Sequence, residues 1–325
     1  MHPCAGRRAW LAGVAACAVA GPARARGFPE RAVRLVVPYT VGVGPDVVAR
    51  IVGERLSDHW RQPVVVDNKP GASGIIAFGD VRRGPPDGYT LYLADTATLC
   101  VNPLIHEALP YDAAADLVPL TLLFRATFVI LTGGEGRFAG VAPMLEAARR
   151  APGSVSYASL GHGHASQVAV ETLARAAGVR LLHVPFKEAG ALFAAVSSGQ
   201  VDFTAFSLNT VAGLVARGRL RPLAVAARSR LRQAPDLPTL AESGAPDVEM
   251  RPWAGLVAVT GTPAAVLEQL QRDVVAAVDA PQVRERLEPL GFELTPTGAA
   301  DFRRQVAEDL ARYAPLVREG RVSRL

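Results

Sequence analysis

Two stretches of this chain share one design. Leu35–Val37 with Val33 form an apolar run, broken only by Arg34, that suits a strand covered on both faces, and the glycine loop Gly42-Val43-Gly44 follows and opens into a helix at Pro45-Asp46. Further on, a strand-like run at 155–159 leads into Gly161-His162-Gly163 and a helix over 165–177. Gly44 supplies a cap conformation that is more costly for a residue with a Cβ. Pro45 suits the first helical position, where its missing N–H would be unpaired anyway. Such a loop aims backbone N–H groups and a helix N-terminus at one spot, which favours an anion. In open α/β sheets ligands bind beyond the carboxyl ends of the strands. A chain carrying two such edges can therefore hold a ligand between them.

The alternation continues around these units. Residues 46–58 read as a helix with Val48, Ile51, Val52 and Leu56 on one side. Strand-like runs at 63–66 and 89–93 flank a helix at 75–82. The apolar run 117–131, interrupted at Arg125 and Thr127, is long enough for two strands and reads as a crossing into a second lobe. There, strands at 155–159, 181–186, 201–206 and 220–226 alternate with helices at 165–177, 190–197 and 211–216. Residues 250–259 read as a strand returning to the first lobe, before helices at 263–279, 281–290 and 299–314. Pro315 is expected to disturb the last helix, and the tail 321–325 to fray. The pattern predicts an α/β chain of two lobes, 26–125 with 248–325 and 126–247, each a mainly parallel sheet flanked by helices.

Length and composition are compatible with this. Half of the 325 residues are hydrophobic and 20% are charged, an ordinary balance for two domains with a sizeable core. The net charge of +5 does not point to nucleic acid, because the basic residues are scattered without an aromatic stripe and lysine occurs only at Lys69 and Lys187. Residues 1–25 read as an export signal: Arg7-Arg8, an apolar run over 10–20, then Ala23-Arg24-Ala25 with cleavage after Ala25. Arg7-Arg8 also fits a twin-arginine signal. Val14-Ala15-Ala16-Cys17 is similar to a lipoprotein box, but the apolar run continues past Cys17 and a better cleavage site follows. No later apolar run reaches the roughly 18 residues of a membrane span, so the expected compartment is the periplasm. Cys4 and Cys17 fall in the signal, which leaves Cys100 without a disulfide partner or a cysteine metal site.

Many short motifs now stand in order: VRLVVPYTVGVGPDVVAR, QPVVVDNKPGASG, PPDGYTLYLA, NPLIHEALPYD, SYASLGHGHAS, HVPFK, SGQVDF, ARGRLRPLAVAA, LPTLAESG and WAGLVAVTGTP. Through them the chain resembles the Bug family, the solute receptors of tripartite tricarboxylate transporters, over nearly everything after the signal. The resemblance implies a two-lobed, type II-like periplasmic binding fold with the ligand in the interlobe cleft. It also implies small, mostly carboxylated ligands and delivery to a permease of large and small integral subunits. The chain departs from the family pattern where Val43 replaces the middle of three glycines and Pro45 a threonine. In the second loop the family's Ser-Gly-x-Gly becomes Leu160-Gly161-His162-Gly163, and its Tyr-Lys-Gly turn becomes Phe186-Lys187-Glu188.

The candidate ligand-binding residues are Tyr39, Thr40, Gly42, Gly44 and Asp46 at the first loop, and Thr96 and Thr98 after the third strand. Ser159, Gly161, His162 and Gly163 form the second loop, and Lys187, Ser207 and Asn209 stand at further strand ends. Each has a plainer reading. Asp46 favours the helix dipole without any ligand, and the hydroxyls can satisfy nearby backbone. His162 and His164 lack a third ligand at usable spacing, so no metal is expected, and the capture mechanism needs no cofactor. An exported dinucleotide-binding enzyme is one rival, since Gly42-Val43-Gly44 and Asp67 mimic that fingerprint; Pro38 to Val41 separates strand from glycines, and Val47 takes the third small position. Against a hydrolase, the chain has no G-x-S-x-G elbow. A receptor that shows its ligand to a signalling partner uses the same cleft as a transport receptor. The reading adopted is a monomeric, non-enzymatic receptor that traps a small organic acid.

Overall fold

The computed structural model describes residues 27–325, so the export signal, the twin-arginine pair and Cys17 lie outside the described residues. The first sheet takes its strands from both ends of that range. β1 (Val33–Val37), β2 (Val64–Asn68) and β3 (Thr90–Asp95) alternate with helices α1 (Gly44–Trp60) and α2 (Ile75–Val81). After β3 come a π-helical turn (Ala97–Val101), two single-turn helices, α3 (Asn102–Ile105) and α4 (Ala113–Asp116), and the long strand β4 (Leu117–Ala126). The second sheet begins at β5 (Phe128–Gly133). It continues through α5 (Val141–Arg150), β6 (Ser156–Ser159), α6 (Ala165–Ala176), β7 (Leu182–Pro185), α7 (Ala189–Ser197), β8 (Phe203–Ser207), α8 (Ala212–Ala216) and β9 (Leu220–Val225). The chain then returns as β10 (Trp253–Val259), α9 (Ala264–Asp279), α10 (Pro281–Leu287), β11 (Phe292–Leu294) and α11 (Ala299–Arg318).

Strand order is β11-β4-β10-β3-β1-β2 in one sheet and β7-β6-β8-β5-β9 in the other. β1 pairs in parallel with both β2 and β3, and β6 with both β7 and β8. β10, β11 and β5 run against their neighbours, so each sheet is mainly parallel in direction but mixed in pairing. The returning strand β10 inserts between β3 and β4, which locks the chain's last third into the first sheet. Alternate side chains of β1 feed different cores. Val33, Leu35 and Val37 pack with α1 and α9 residues such as Val52 and Leu270, while Val36 packs with Phe78 and Tyr92. β5 does the same in the second sheet, with Ile130 on one face and Val129 and Leu131 on the other.

The two sheets are joined by crossing segments that lie side by side. Ala126 N–H donates to the Pro252 carbonyl at 2.8 Å, and Phe128 N–H to the Met250 carbonyl at 3.0 Å. A separate apolar cluster spans the two halves: Val101 and Ile105 from the first, Val168 on α6 from the second, and Leu316 and Val322 at the chain's end.

The structure differs from the sequence reading at several places. α5 and β11 were not expected. β11 is only three residues long and is held by pairing with the end of β4, a partner no local pattern reveals. α11 runs through Pro315 to Arg318. Proline removes one backbone donor, but Leu316 is buried just beyond it and the Glu319 N–H still reaches the Pro315 carbonyl at 2.9 Å. The tail does not fray: Val322 is buried, and the Leu325 N–H donates to the Ile105 carbonyl at 2.7 Å. The α11 stripe of Phe302, Val306, Leu310 and Tyr313 packs into the core beside Cys100 and Trp253, as expected.

Candidate functional site

The first loop is held by a carboxylate from its own helix. Gly42 takes a left-handed φ of 85°, which turns its N–H toward α1. Asp46, in the first turn, accepts that N–H at 2.8 Å. Its carboxylate also accepts Arg50 Nε at 3.0 Å and Asn68 Nδ2 at 2.7 Å. Asn68 in turn receives Arg50 at 2.7 Å and donates to the Tyr39 carbonyl at 3.0 Å. Burial alone would raise the Asp46 carboxyl; the hydrogen bonds from Arg50, Gly42 and Asn68 outweigh it and hold the group below its ordinary value. Gly44 lies under Phe292, whose Cζ would be 2.9 Å from an added Cβ. Thr40 is exposed at the loop's edge.

A second carboxylate anchors the approach to this loop. The Tyr39 hydroxyl donates to Asp95 at the end of β3, and Asp95 also accepts the N–H and the hydroxyl of Thr98, each at 2.8 Å. Burial pushes the Asp95 carboxyl up despite these donors. Thr98 is fully buried in this cluster, and the Thr96 hydroxyl accepts the Trp253 N–H at 3.2 Å. Both threonines therefore brace the end of β3 against its neighbours.

The second loop is held by neutral groups. Gly161 and Gly163 have φ of 102° and 74°. Ser159 Oγ accepts the Gly161 N–H at 3.2 Å and donates to the Gly161 carbonyl at 3.1 Å. It also lies 2.6 Å from His183 Nε2 on β7. His183 Nδ1 faces Gln167 Nε2 at 3.2 Å, and Gln167 Oε1 accepts the Gly163 N–H at 2.8 Å. Tyr157 stacks on the His183 ring, and exposed His162 stands edge-on to it at 5.1 Å. Burial and then His162 push the His183 imidazole down to about 4. His164 turns away from this group and caps α6, accepting the Ser166 N–H at 3.1 Å, and burial pushes it down to about 4.

The two halves meet at both loops. An added Cβ on Gly163 would sit 2.5 Å from Ile105 Cδ1, so the second loop abuts α3. Asn209 lies against Gly291, where an added Cβ would be 2.1 Å from its Nδ2, and Gly291 adjoins the Phe292 that covers Gly44. Ser207 bonds Thr210 at 2.7 Å, and Lys187 is exposed past β7. Beside the crossing segments, Thr96, Ala165, Val168 and residues 249–252 enclose about 10 Å³, room for one water at most.

The family described as tripartite tricarboxylate transporter family receptor matches residues 48–321. This chain belongs to that family, the Bug receptors. Its family binds solutes rather than transforming them, so the chain is a receptor and not an enzyme. Three solved structures show the likeness. The R. palustris protein Rpa4515 with adipate is 30% identical, with a TM-score of 0.84, over 92% of this chain and 100% of that one. The periplasmic binding protein BugD is 28% identical, with a TM-score of 0.80, over 92% and 100%. MatC from Rhodopseudomonas palustris with bound malate is 27% identical, with a TM-score of 0.79, over 89% and 99%.

In this Bug receptor, motif reading named Asp46 and Ser159 but missed the other residues that hold the loops. Asn68, Asp95, Gln167 and His183 were not among the candidates, nor was Phe292. The one local signal was Asp95 standing beside two threonines in the segment ADTAT. His183 meets Ser159 only through the parallel register of β6 and β7, in which Tyr157 pairs with His183 and Ser159 with Pro185.

Proposed function

We propose that this receptor captures a small carboxylated solute, a dicarboxylate by preference, between a lobe of residues 26–125 with 248–325 and a lobe of residues 126–247. Export by the N-terminal signal and delivery to the integral subunits of a tripartite transporter belong to the same reading. The observation that carries it is the adipate-bound relative, which matches this chain over 92% of its length; the malate-bound relative supports the same ligand class.

The geometry favours an anion held by neutral donors. Gly42, Gly161 and Gly163 already spend their N–H groups inside the protein. In the first turns of α1 and α6, Val47 reaches the Val43 carbonyl and Ser166, Gln167 and Val168 reach His164, so what remains for a ligand is the N–H groups of Gly44, Asp46 and Ala165. Around them stand the exposed side chains of Thr40, His162 and Lys187. Tyr39, Gly44, Asp46, Thr96, Thr98, Ser159, Ser207 and Asn209 shape the walls of the cleft in this reading. A ligand that bridges both lobes favours the closed state and shifts the hinge equilibrium toward it, and the closed form is what the membrane partner meets.

Mass spectrometry of the small molecule that co-purifies, followed by calorimetry with adipate and malate, tests this. Micromolar or tighter binding of a dicarboxylate is expected. A co-purifying ligand without a carboxylate, or no heat with any short dicarboxylate, overturns the ligand class.

A further inference from the structure

The second glycine loop is tied at both glycines to one imidazole, and the proton on that imidazole is fixed by its neighbours. The Gly163 N–H can only donate, so the Gln167 atom it meets must be the amide oxygen. That leaves the Gln167 NH₂ facing His183 Nδ1, which must accept. His183 therefore carries its proton on Nε2 and donates to Ser159 Oγ, whose own hydrogen goes to the Gly161 carbonyl. Every donor in the relay has one acceptor, and the relay runs from Gly163 to Gly161 through a residue on the neighbouring strand.

The geometry points to His183 as a positioning residue for solute capture: in its neutral, Nε2-protonated form it holds Gly161 and Gly163 in place, and a second proton on its ring releases Gly163 while Ser159 keeps Gly161. A proton on Nδ1 would set two donors against each other at Gln167. Turning the Gln167 amide to relieve this would leave the Gly163 N–H facing NH₂, so the relay breaks at the loop whichever way the amide adjusts.

Other titratable groups surround the ring. His162 approaches from the loop, and Tyr157 stacks on it from β6. Behind Tyr157, whose hydroxyl donates to Glu171 at 2.7 Å, Arg321 lies 3.6 Å from Glu171. His162 lies close enough that its own proton discourages one on His183. The first loop has no counterpart, since its holding group is a carboxylate already paired with Arg50.

The test reads the loop directly and rests on the receptor reading only in its last arm. In the ¹⁵N-labelled full chain, ring nitrogen shifts should show His183 bare at Nδ1 and protonated at Nε2 near neutral pH. As the pH falls toward 4, the Gly161 and Gly163 amides should shift with the His183 midpoint, and Gly163 should lose protection from exchange. His183→Asn keeps an acceptor for Gln167 and cannot titrate; because His164 beside Gly163 also falls to about 4, the comparison is made in a His164→Asn background, where both amides should move with His183 and stay still once His183→Asn is added. Gln167→Glu should raise the His183 midpoint by at least about one pH unit, because a carboxylate in hydrogen-bond reach favours the charged ring. A proton found on Nδ1, or loop amides that ignore the His183 titration, overturns the proposal. With adipate as the probe, the Kd of the wild type divided by that of His183→Asn should rise at least about threefold on acidification, since the ligand's own ionisation cancels in the ratio. A flat ratio with measurable binding removes the capture step. No adipate binding at any pH counts against the ligand class instead, and the amide titration still decides the relay.

Discussion

The two glycine loops look alike as sequence and are held by different chemistry. At the first, a buried carboxylate with a lowered proton affinity gathers Gly42, Arg50 and Asn68. At the second, uncharged Ser159, Gln167 and His183 do the equivalent work. At the first loop the Gly42 N–H already has an anion of the protein's own, Asp46. The second loop carries no such internal charge and borders the exposed His162. The pair teaches that two alike Gly-x-Gly loops need not be held alike, and that the motif does not say which of its N–H groups are still open to a ligand. It also separates a clamp insensitive to mild acid from one that a proton can undo.

The largest expected effect that would break this contrast is at Asp46. Asp46→Ala strips a buried acceptor from three donors and should cost about 2–4 kcal/mol in chemical denaturation, since stranded buried partners are expensive. A loss below about 0.5 kcal/mol would mean the carboxylate does not hold the loop. Next comes Gly163→Ala, which puts a Cβ on a left-handed backbone and into Ile105. About 1–3 kcal/mol should be lost in chemical denaturation, most of it backbone strain, because the Ile105 methyl ends a flexible side chain and can shift. Adding Ile105→Ala should relieve that contact without repairing the backbone strain. A further effect, read as a gradient and not as a single loss, is the slope of stability with pH. His183 and His164 both fall from an ordinary 6.5 to about 4 on folding. Their contribution is thus complete above about 6.5 and is lost as the pH drops through that value toward 4, because the unfolded chain then binds more protons. Unfolding curves at stepped pH should show this slope. It should shrink in His164→Asn, which keeps a good N-cap, and again in His183→Asn.

Most of the architecture was visible before any coordinates. Periodicity and turn residues located β1, α1, α6, α9 and the crossing at residues 117–131, because those elements bury continuous apolar surface of their own. β11 escaped, since three residues on the edge of β4 have no periodicity to read. The Pro315 expectation failed because a local rule met a tertiary one: burial of Leu316 outweighs one missing backbone donor. At the site, the loops and the supports nearest them in sequence, Asp46 and Ser159, were legible, and the distant supports were not. Asp46 announces itself by sitting four residues after Gly42, but Gln167 and His183 come together only when β7 lies beside β6.

One feature at the chain's end sets how any opening must proceed. Capture by closure asks one lobe to turn against the other, yet Val101, Ile105, Val168, Leu316 and Val322 form a dry bead between them, close to the paired crossing backbones. Pulling that bead apart would wet five aliphatic side chains. In the proposed closure the cheaper motion would keep it intact as a bearing between α6 and the end of α11, which Val168 and Leu316 join. Side chains that never meet the solute would then govern how fast the mouth of the receptor parts.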